Sequence, residues 1–82
     1  MNNLEMVNEL KKMTERIELL TSVLKKKNAN YYAPENMTKE ENDLIYDNLH
    51  FFDGANWNID TLENLISSNK KIINQLINNF KL

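Results

Sequence analysis

The sequence predicts an all-α chain: two long amphipathic helices with a short one between them. Three observations carry this expectation. Apolar residues recur at spacings of three and four, and no stretch alternates with period two. The single proline, Pro34, and the single glycine, Gly54, divide the 82 residues into three periodic segments. Each segment opens on a side chain that can cap a helix, with glutamate three positions later: Asn2 and Glu5, Thr38 and Glu41, Asp60 and Glu63. Agreement among period, caps and breakers points to one arrangement of elements.

The first helix is expected over residues 3–28. With Asn3 at heptad position a, the a positions hold Leu10, Ile17 and Leu24, and the d positions hold Met6, Met13 and Leu20. All are apolar. Position e holds Val7, Thr14 and Thr21, where a two-stranded zipper carries charge, and Val23 widens the stripe. So broad a stripe suits a bundle better than a lone dimer seam. Glu5 and Glu9 near the start, and Lys25, Lys26 and Lys27 near the end, match the helix dipole.

The central helix is expected over residues 39–52. Leu44, Ile45, Leu49 and Phe52 share one face of it, Tyr46 lies beside that face, and Phe51 is displaced from it. Asp53-Gly54 is its stop signal. The last helix is expected over residues 60–82. Its a-type positions are Ile59, Ile66, Ile73 and Phe80, and its d-type positions are Leu62, Asn69 and Leu76. Leu65, Ile72 and Ile77 broaden this face. Asn69 is the polar exception. It either sets register, as buried polar residues do in coiled coils, or sits at the seam's edge in an asparagine-rich chain.

The outer helices would each run about 36 Å, and the central one about half that. Part of their apolar stripes would overhang and need another chain. A homodimer with coiled-coil or bundle packing meets that need. Its expected core is Leu10, Met13, Ile17, Leu20 and Leu24 from the first helix, with Leu62, Ile66, Asn69, Ile73, Leu76 and Phe80 from the last.

Length bounds the chain to one domain, residues 1–82, with a small core. The lack of cysteine excludes disulfides and thiolate metal sites. A net charge of −2 and a pI near 5.3 do not suit a protein that coats nucleic acid or an anionic membrane. No apolar run approaches the roughly 18 residues that span a bilayer. The opening MNNLEMVNEL is not a signal peptide, so the expected location is the cytoplasm. Asparagine, at 15 residues, joins frequent lysine and isoleucine in following AT-rich codons. That bias points to a low-GC bacterium or its phage.

No catalytic constellation stands out: there is no cysteine nucleophile, no Ser–His set and no Gly-rich phosphate loop. Asp47 and His50 have the i, i+3 spacing of di-iron bundles, but the additional core glutamates are not evident, so no metal or cofactor is expected. The lysine runs Lys25–Lys27 and Lys70–Lys71 could touch phosphates, although no aromatics interleave them.

Six of the seven aromatic residues lie between Tyr31 and Trp57. Leu49 and Phe52 are expected in the core, and Trp57 packs as a staple near Leu62. Tyr31, Tyr32, Phe51 and Trp57, rimmed by Glu40, Glu41, Asp43 and Asp47, form the expected partner surface. Its charge suits a basic partner. The sequence is therefore read as a non-catalytic, dimeric adaptor or inhibitor, from a phage or other mobile element. The alternatives are a nucleic-acid-binding regulator acting through the lysine runs, and a structural coiled-coil assembly factor.

Overall fold

A computed structural model of the chain describes residues 1–53 and 58–82. Among these residues the structure is all α and holds no strand. Helix α1 spans Asn3–Ala29. A 3₁₀ turn follows at Pro34–Asn36. Helix α2 spans Lys39–Asp47, the one-turn helix α3 spans Leu49–Asp53, and α4 spans Ile59–Phe80. Helices α1 and α4 run antiparallel as a hairpin, and α2 and α3 lie against one end of it. The body is a rod of 48 × 22 × 20 Å. Its radius of gyration is 15.3 Å, against about 12 Å for a compact chain of this length.

Two of the expected caps are present. The Asn2 side chain accepts from the Glu5 amide at 2.8 Å. At Thr38 the reciprocal box is complete: the hydroxyl accepts from the Glu41 amide at 3.1 Å, and the Glu41 carboxylate accepts from the Thr38 amide at 2.8 Å. The third differs. Asn58, not Asp60, caps α4, its side-chain oxygen accepting from the Asp60 and Thr61 amides. Glu63 is thereby free of the cap and pairs with Lys25 at 2.9 Å.

The central helix also differs from the expected single run over 39–52: it breaks at Asn48. The Asn48 side-chain amide donates to the Leu44 carbonyl at 2.8 Å and closes the end of α2. Its backbone carbonyl accepts from the Phe51 and Phe52 amides and opens α3. Asn48 has φ −129° and ψ 43°, outside the helical region, so α3 is rotated relative to α2. The rotation turns Phe51 and Phe52 inward and leaves Leu49, expected in the core, 46% exposed.

The main core sits where the four helices meet: Leu20, Val23 and Leu24 from α1, Phe52 from α3 and Leu62 from α4. Ile17, Met37, Leu44, Ile45, Phe51 and Ile59 pack around it, half-buried. Beyond this cluster the rod is only two helices thick.

The hairpin seam shows where heptad reasoning succeeds and where it slips. On α4 the buried and half-buried line is Ile59, Leu62, Ile66, Asn69, Ile73, Leu76 and Phe80, the expected a and d set. On α1 Val7, Leu10, Thr14, Ile17, Thr21 and Leu24 form such a line, Leu20 and Val23 are buried beside it toward Phe52, and Met6 and Met13 are exposed. The frame is rotated because Thr14 and Thr21 are buried despite their hydroxyls. Each donates to the carbonyl four residues earlier, Leu10 at 2.8 Å and Ile17 at 2.7 Å. A hydroxyl satisfied within its own helix is cheap to bury.

Candidate functional site

One end of the rod is built from the C-terminus of α1, the segment over residues 30–38, and α2. Asn30 ends α1: its backbone and side-chain amides both reach the Lys26 carbonyl, and its side-chain oxygen accepts from Asn36 at 3.2 Å. Pro34 opens the 3₁₀ turn, where its fixed φ suits the first position. This connection carries Tyr31 and Tyr32 out into solvent, 75% and 94% exposed. Their rings meet edge to face, with centroids 5.0 Å apart. The sequence alone suggests that neighbouring loop tyrosines diverge; here they pack on one another.

Beside Tyr31 lies a surface groove of about 290 Å³, lined by Tyr31, Pro34, Met37 and Ile45 with Lys27, Asn30 and Asn42. Helix α2 forms its other wall. The helix turns Leu44 and Ile45 toward the core and Glu40, Asp43, Tyr46 and Asp47 toward water. Glu35 is exposed next to them. The tip is thus acidic on its outer face, with Lys39 the lone basic residue of α2.

The expected partner residues do not all take equivalent places. Tyr31 and Tyr32 are exposed at the tip, and Glu40, Asp43 and Asp47 are exposed along the outer face of α2. Glu41 is turned inward, its carboxylate accepting from Lys26 at 2.8 Å as well as from Thr38, with 19% of its side chain exposed. The Lys26 ammonium, then the Thr38 backbone amide, hold this carboxyl below its ordinary value near 4.5. Phe51 is half-buried against the core and meets Phe52 edge to face at 5.2 Å. Trp57 lies outside the described residues. Tyr46, 75% exposed, was not among the expected site residues. Its signal was available: it shares a helix with three outward carboxylates.

The lysine run is turned onto its own chain. Lys25 pairs with Glu63 and Lys26 with Glu41, while the Lys27 ammonium stands 5.8 Å from the Phe52 ring centroid. Lys70 pairs with Glu18 at 2.9 Å. The Glu63 contact raises the Lys25 pKa above its ordinary value of 10.5.

Of the expected dimer core, Leu20, Leu24, Leu62, Ile66 and Ile73 are buried within one chain, and Leu10, Ile17, Asn69, Leu76 and Phe80 are half-buried in the hairpin. Met13 alone of that set is exposed, at 61%.

Among the described residues, no group of three or more His, Cys, Asp or Glu side chains is placed to hold a metal ion, and no helix is long and apolar enough to cross a membrane. No family model, no curated protein and no solved structure matches the chain.

Proposed function

We propose that this chain is a non-catalytic, self-associating protein-binding module, a small adaptor or inhibitor that captures a basic partner protein through its tip. The supporting observation is the placing of tyrosine. Tyr31 and Tyr32 stand in water at one end, Tyr31 lining an apolar groove, and Tyr46 is exposed farther along α2, whose outward face also carries Glu40, Asp43 and Asp47. A chain with so small a core gains no stability from large rings left outside it. Tyrosine is a frequent anchor of protein interfaces, because its ring supplies contact area at low entropic cost and its hydroxyl tolerates water. The carboxylates would steer a basic surface onto it.

The nucleic-acid reading has less behind it, since Lys25, Lys26 and Lys27 already face partners in their own chain. The test is affinity capture from host lysate, comparing the unaltered chain with Tyr32→Ala, Tyr46→Ala and the charge reversal Asp43→Lys. A specific partner should be lost with each variant while thermal stability is kept. Retention of the same partner by all three would remove the tip from the interaction.

A further inference from the structure

We draw no further inference here: the strongest candidate, the surface patch on the α1–α4 hairpin where Met6, Met13 and Ile72 are exposed, carries nothing, because nothing in the structure shows what covers it.

Discussion

The Asn69 side-chain amide donates to the Thr14 hydroxyl, 3.4 Å away across the hairpin seam, and Thr14 in turn donates to the Leu10 carbonyl at 2.8 Å. The one polar residue in the α4 seam therefore meets a polar residue of α1 at the same level. Any slip of the hairpin by a turn would set the Asn69 amide against Leu10 or Ile17, with no acceptor. The pair is a register device, and such devices hold specificity at some cost in stability.

Asn69→Leu should therefore raise the stability of the chain, by about 1 kcal/mol of added apolar burial. It should also broaden the species seen by size-exclusion chromatography, because alternative alignments are no longer penalised. Thr14→Val, which keeps the shape and removes the acceptor, should cost about 1 kcal/mol. Combined with Asn69→Leu that cost should vanish. Denaturant unfolding of the two single variants and the double variant measures the coupling; strict additivity would mean that the two residues do not interact.

How much of this was legible in the sequence differs by element. The α4 seam was readable because its apolar residues leave one alignment, with Asn69 as the marked exception. The α1 seam was harder. Met6, Leu10, Met13, Ile17, Leu20 and Leu24 make a more hydrophobic stripe than Val7, Leu10, Thr14, Ile17, Thr21 and Leu24. Four of the first six are buried or half-buried, but counting apolar residues also selects Met6 and Met13, which are exposed, in place of Thr14 and Thr21, which are buried. The correct frame depends on threonine satisfying its hydroxyl against its own helix, which spacing does not record. The break at Asn48 was hidden for a related reason: asparagine is so frequent here that one more carried no signal. Exposure of Tyr31, Tyr32 and the outward carboxylates followed from their loop and helix-surface positions. The inward turn of Glu41 did not, because it depends on where Lys26 lies in three dimensions.

Glu41 makes stability depend on acid. Its carboxylate joins the Thr38 cap to Lys26, so one group both starts α2 and docks it on α1. Its folded pKa lies below the ordinary value near 4.5. The stabilisation is therefore complete above that value and is lost as pH falls through the depressed one. Glu41→Gln should melt lower than the unaltered chain at pH 7, and the gap should close on titration toward pH 3. A gap that stays constant over this range would show that ionisation of Glu41 is not what matters.

Asn48 joins three elements. Besides closing α2 and opening α3, its side-chain oxygen accepts from Arg16 of α1 at 2.6 Å. Asn48→Ala should lower stability by about 1–2 kcal/mol, since the Leu44 carbonyl and the Arg16 link are lost together. Arg16→Ala should cost less than about 1 kcal/mol, because that contact is exposed and the α2 end remains closed. Thermal melts rank the two; a larger loss for Arg16→Ala would place the junction's strength in the Arg16 link instead.

The three aromatic environments predict a graded response. Phe52 is buried at the meeting of the helices, and truncation of such a residue costs about 3–5 kcal/mol. A small domain holds only about 5–15 kcal/mol in all, so Phe52→Ala should leave little folded protein at 37 °C. Phe51, half-buried beside it, should cost about 1–2 kcal/mol when cut to alanine. Tyr32→Ala, at the exposed tip, should stay within about 0.5 kcal/mol. Chemical denaturation followed by circular dichroism orders the three. If Phe51→Ala were as harmless as Tyr32→Ala, Phe51 would belong with the tip and its packing on Phe52 would contribute nothing. If Tyr32→Ala were as damaging as Phe51→Ala, the tyrosine pair would be supporting the α1 terminus, and its exposure would no longer argue for a partner.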